Sequence, residues 1–253
     1  MEADESGLNY EKEAAIICGV FDMKKVIYKV GRIPAILWGE PAERIYLFVH
    51  GKGGSKEEAE RFAEIVCAGG WQVLSIDLPE HGERGSEKET FDPWHVVPEL
   101  QSVMSCLKSK WKNLGLRANS IGAWFSMLAF GDETFDKCLF VSPILDMERL
   151  ICNMMRWASV SEETLQREQE IKTDFGETLS WKYLTYAREH QILKWDSPTA
   201  ILYARKDNLT ERCVVDDFCT RFHSELSVTE TGEHWFHTPE QLALLDRWTK
   251  NHG

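Results

Sequence analysis

Ala118-Asn119-Ser120-Ile121-Gly122 sets a serine between small residues where a short apolar stretch meets an amphipathic helical pattern. On such a strand-to-helix turn the hydroxyl is exposed, and the new helix directs backbone N–H groups at negative charge developing beside it. The turn is tight, so the side chains two before and two after the serine must be small, as Ala118 and Gly122 are. That chemistry is nucleophilic attack on a carbonyl; the competing role for Ser120 is a helix N-cap. A glycine-rich loop, His50-Gly51-Lys52-Gly53-Gly54, follows an apolar run. It lets backbone approach a reacting carbonyl, with the Lys52 and Ile121 amides as the expected oxyanion donors; the alternative is a plain turn feeding a helix. His50 itself reads as a structural hydrogen-bonding residue.

A nucleophilic serine needs a base, and the base needs an acid to orient it. Asp207 follows Leu202-Tyr203-Ala204-Arg205-Lys206, and His234 follows Thr231-Gly232-Glu233, in the order acid then histidine. Asp146 and His237 are competing candidates that rank below them. Asp77-Leu78-Pro79-Glu80-His81-Gly82 ends another strand and reads as a structural loop at the rim of the site, with His81 as a candidate substrate contact.

These residues need a frame in which strands end near one another. Strands are predicted at Ala14–Phe21, Val26–Val30 and Ala35–Trp38, together an antiparallel hairpin region. The continuous apolar run Ile45–Val49 has the form of a strand buried on both faces of a parallel sheet. Ser55 with Glu58 predicts a capping box opening the next helix, which Gly69-Gly70 stops. Strand and helix then alternate through Val73–Asp77, Val96–Leu107, Leu114–Ala118 and Cys138–Val141. From roughly 148 to 195 the pattern is helical pieces with no strand, which predicts an inserted cap of residues 148–195 within a core of 1–147 and 196–253. The sheet resumes at Ala200–Ala204, with a helix near Val214–Phe222, a strand at Leu226–Thr229 and a last helix opened by Thr238 and Pro239. The fold class is α/β, a mostly parallel central sheet flanked by helices.

At 253 residues the chain fits one such domain. Its 29 Lys and Arg against 41 Asp and Glu give a net charge of −12, a field that repels nucleic acid and anionic bilayers, so neither is an expected partner. The acidic start, Met1-Glu2-Ala3-Asp4-Glu5-Ser6, lacks the basic and apolar segments of a secretion signal, and no apolar run nears bilayer length. Seven cysteines without CxxC pairing argue against a disulfide framework or structural metal, so reduced thiols in the cytoplasm are expected.

Taken together, the glycine loop, Asp77-Leu-Pro-Glu-His-Gly, Ala-Asn-Ser120-Ile-Gly, Tyr203-Ala-Arg-Lys-Asp207 and Gly232-Glu-His234-Trp-Phe-His resemble the α/β-hydrolase superfamily over most of the chain. Ala118 departs from the glycine usual at that place but is small enough. The resemblance implies a Ser120–His234–Asp207 triad, hydrolysis of a carboxylic ester through an acyl-enzyme, and no metal or organic cofactor. A serine peptidase or thioesterase is the nearest alternative, and a non-catalytic binding protein of this fold is the alternative of another class. It also implies that the cap shapes a pocket for a small acyl substrate, with Trp157 and Trp181 the expected substrate contacts. Met154, Met155, Tyr183 and Leu184 are further candidates, although residues so spaced also serve as the cap's packing face. Lys52 is considered as a cation for a substrate carboxylate, against a solvated loop lysine.

Overall fold

A computed structural model describes residues 23–253 of the chain. The strand expected at Ala14–Phe21 lies outside the described residues.

The hairpin region forms as β1 (Lys25–Val30) and β2 (Ile33–Trp38), antiparallel with Val30 opposite Ile33. The apolar run becomes β3 (Arg44–Val49), followed by helix α1 (Glu60–Ala68), β4 (Gln72–Ile76), α2 (Pro93–Lys108), β5 (Asn113–Asn119), α3 (Ile121–Phe130) and β6 (Lys137–Val141). Next come α4 (Met147–Trp157), α5 (Glu162–Glu168), β7 (Glu170–Lys172), β8 (Thr178–Ser180) and α6 (Trp181–Glu189). The chain closes with β9 (Thr199–Ala204), α7 (Arg212–Phe222), β10 (Glu225–Thr229) and α8 (Pro239–His252).

Eight strands make one sheet in the order β1-β2-β4-β3-β5-β6-β9-β10. From β4 to β10 every neighbouring pair is parallel, while β2 joins both β1 and β4 antiparallel. Strand alternation divides the core into two apolar layers. Ile45, Leu47 and Val49 face the layer that holds α2, α3, α7 and the 147–189 segment, whereas Tyr46 and Phe48 face the layer that holds α1 and α8. Both faces of β3 are thus buried, which is why that strand reads as an unbroken apolar run.

Two local expectations need correction. Ser55 makes no side-chain cap, and a short 3-10 turn, Lys56–Ala59, precedes α1. The Lys56 amide and ammonium are instead drawn to the buried Asp77 carboxylate, at 2.9 and 2.7 Å. Within 148–195, where no strand is expected, β7 and β8 form a small antiparallel pair. Strands of three residues are too short to print a period-two pattern. At the other end, Thr238 and Gln241 form a reciprocal capping box with Pro239 at the first turn of α8. Among the described residues, no helix is long and apolar enough to cross a membrane.

Candidate active site

Ser120 sits between β5 and α3 with φ 51° and ψ −126°, a conformation that costs a non-glycine residue energy and persists only where surroundings enforce it. Here they do. The Ser120 amide donates to the Val141 carbonyl, and the Ser120 carbonyl accepts from the Ile144 amide, each at 3.0 Å. A Cβ at Gly122 would lie 2.4 Å from the His50 carbonyl oxygen, so this packing against the end of β3 admits glycine alone.

Ser120 Oγ lies 2.8 Å from His234 Nε2, and His234 Nδ1 lies 2.8 Å from Asp207 Oδ2. The other Asp207 oxygen accepts from the Leu209 and Thr210 amides, at 2.8 and 3.0 Å. The buried Asp207 side chain thus faces His234 as a hydrogen-bond acceptor, which assigns the proton to Nδ1 and leaves Nε2 free to take the serine proton. The competing candidates stand apart: Asp146 caps α4 by accepting from the Arg149 amide, and the exposed His237 pairs with the Trp235 carbonyl.

The glycine loop packs on the serine. A Cβ at Gly51 would lie 3.0 Å from Ser120 Cβ. His50 Nε2 accepts from the Leu78 amide at 3.0 Å, so its Nδ1 carries the proton, which is donated to the Gly51 carbonyl at 2.7 Å. In a trans peptide the N–H opposes the C=O, so a Gly51 carbonyl held toward His50 turns the Lys52 amide away from it. Neither the Lys52 nor the Ile121 amide has a hydrogen-bond acceptor among the described residues. Burial, reinforced by nearby His81, pulls the His50 pKa down to about 4, so the ring is neutral at physiological pH. His81 is a second brace, its Nε2 accepting from the Gly53 amide at 2.8 Å. The Lys52 ammonium is taken by Glu177, 2.6 Å away on the loop between β7 and β8.

A cleft of about 540 Å³ has Ser120, His234, Lys52 and Gly53 on its wall and extends between α1 and α8. Trp157 and Trp181 do not line it. Trp157 is half exposed and packs edge-on to Phe175, and Trp181 is partly buried against the main core. Met154, Met155, Tyr183 and Leu184 pack into that same core, Tyr183 stacking on Trp124. Motif reading passes over Arg117, which lines the cleft on β5; its signal in the sequence is a charge inside the apolar strand Leu116-Arg117-Ala118.

No protein-family model matches the sequence, and no curated protein sequence is detectably similar to it. Solved structures do match. Est1E from Butyrivibrio proteoclasticus with ferulic acid bound superposes with a TM-score of 0.67 at 17 % identity, over 89 % of this chain and 96 % of that one. An esterase from Pyrococcus furiosus gives 0.63 at 18 %, over 97 % and 92 %. The mouse alpha/beta hydrolase domain-containing protein 10 gives 0.67 at 12 %, over 90 % and 97 %. Identities this low speak to architecture alone, and with the sheet order above they establish that the chain has the α/β-hydrolase fold.

Proposed function

We propose that the protein is a serine hydrolase that cleaves a carboxylic ester of a small or medium substrate through an acyl-enzyme. The observation that carries this is the continuous chain from Ser120 Oγ through His234 to the buried Asp207 carboxylate, with 2.8 Å at each link. A non-catalytic protein of this fold has no physical need for a strained serine held against an oriented imidazole.

In the first half-reaction Ser120 Oγ attacks the carbonyl carbon as His234 Nε2 takes its proton, and the Lys52 and Ile121 amides hold the oxyanion. His234 then gives that proton to the departing alcohol, leaving the acyl group on Ser120. In the second, His234 takes a proton from water, the resulting hydroxide attacks the acyl carbon, and the acid leaves as the proton returns to Ser120. Asp207 holds the ring tautomer and stabilises the imidazolium without being protonated. A reducing, cytoplasmic setting is part of the same proposal, supported by six described cysteines, all free thiols.

The test is labelling with a fluorophosphonate beside Ser120→Ala, then turnover of p-nitrophenyl esters of increasing acyl length. Labelling and turnover are expected in the parent protein and lost in the variant. A folded parent that neither labels nor turns over would refute the proposal and direct attention to ligand binding.

A further inference from the structure

Arg117 precedes Ser120 by three residues on β5 and points opposite to Leu116 and Ala118, into the layer between the sheet and helices α1 and α8. It is 2 % exposed. Its guanidinium lies 5.6 Å from the ring centroids of both Phe62 and Trp248. Among the described residues, its buried Nε and Nη1 have no hydrogen-bond partner and no carboxylate forms an ion pair with it. The carboxyl whose charge acts on Arg117 is that of Glu58, which lies against Gly54 and is itself pushed up by burial. Burial lowers the guanidinium pKa to about 9, so it remains cationic at neutral pH. An unpaired charge held out of water is among the costliest features a core can carry, and an anion binding beside it offsets that cost.

The cleft leads to this cation from the nucleophile. Ser120, His234 and Arg117 share its wall with Glu58 and with Arg61, which is paired to Asp246, and Phe48, Val141 and Leu245 supply apolar surface. Ser142 Oγ and Asn119 Oδ1, also on the wall, are buried and unpartnered among the described residues, adding a donor and an acceptor.

We infer that this cleft selects esters whose acyl chain ends in a carboxylate, with Arg117 as the counter-ion that holds the distal group while Ser120 attacks the ester. The inference rests on the hydrolase proposal for its reactive end. Three residues of strand span about 10 Å, which suits an acyl chain of a few carbons between the two groups. A guanidinium is matched to a carboxylate by its planar array of N–H donors, and Phe48 and Val141 on the cleft wall offer apolar surface to a methylene chain.

The experiment compares p-nitrophenyl half-esters of succinate, glutarate and adipate with the same esters methyl-capped at the free acid. Calorimetric binding of the three free dicarboxylates is measured in parallel. The parent protein should favour at least one free acid over its capped form in kcat/KM by roughly 10- to 100-fold, the range of a hydrogen bond to a charged group. In Arg117→Met that ratio should fall to about one or below, and Arg117→Lys should keep part of it, with circular dichroism checking the fold of each. If Arg117→Met does not fold, the parent ratio and Arg117→Lys decide. Turnover of capped esters without preference for any free acid would overturn the inference and leave the hydrolase proposal standing. Dicarboxylate binding that Arg117→Met abolishes, without turnover of any ester, would overturn the hydrolase proposal and keep the anion site. Neither turnover nor binding would overturn both.

Discussion

At the scale of single residues, the site depends on which atom carries which proton. Asp207 receives two amide hydrogen bonds on one oxygen and His234 on the other, so it fixes the imidazole with Nε2 as acceptor. Asn in its place keeps the shape but presents an amide that can donate to Nδ1, stabilising the wrong tautomer. Asp207→Asn is expected to lower kcat by about 10⁴-fold with little change in KM, read by steady-state turnover of the preferred ester. A loss below tenfold would show that His234 is oriented by something else. Ser120, Asp207 and His234 stand out in the sequence because each follows a predicted strand, and the structure brings the three side chains together. Arg117 does not stand out, since a lone charge in a strand carries no motif and its want of a partner is a property of the packed layer around it.

At the scale of elements, the loop after β3 is held by two histidines, each joining a backbone group of one loop to another. His50 bridges Gly51 to Leu78, and His81 bridges Gly53 to Pro79. This bracing has a pH signature. The folded pKa of His50, about 4, lies below its unfolded value near 6.5, so between these values the unfolded chain binds a proton that the folded chain refuses. The contribution is therefore fully present above about pH 6.5 and is lost as pH falls toward 4, about 3 kcal/mol in all. Thermal melts from pH 7.5 to 4.5 should show a smaller acid-side loss in His50→Gln, whose side-chain oxygen still accepts from Leu78. Parallel curves for parent and variant would remove His50 as the titrating group. The failed capping box at Ser55 belongs to this scale too: the Glu58 amide goes to the Ser55 carbonyl instead of its hydroxyl, while Asp77, distant in sequence, takes the Lys56 amide.

At the scale of the whole molecule, the sheet is locked between two apolar layers, whereas the 147–189 segment leans on one of them. Its β7–β8 pair has three residues per strand, too few to be stable without help. The Lys52–Glu177 ion pair tying its loop to the glycine loop is largely exposed, the kind of contact that contributes little stability. Hydrogen exchange by mass spectrometry should find amides of residues 170–180 exchanging well before those of β3 and β5. Equal protection would mean that the segment opens only with global unfolding. The cleft beside Ser120 faces the opposite layer, between α1 and α8.

The sequence alone determined the alternation of strands and helices that builds the main sheet, the turn that strains Ser120, the glycine loop and the candidate trio of Ser120, His234 and Asp207. Those features are written locally, in strand-length apolar runs, small residues at tight turns and caps within one helical turn. Tertiary structure alone decided that Trp157 and Trp181 lie away from the cleft, that Lys52 is engaged by Glu177, and that Arg117 is buried on the same cleft as Ser120 with no partner among the described residues. Each of these depends on what residues distant in the chain place around a side chain, and burial and pairing across layers leave no periodic mark in the sequence.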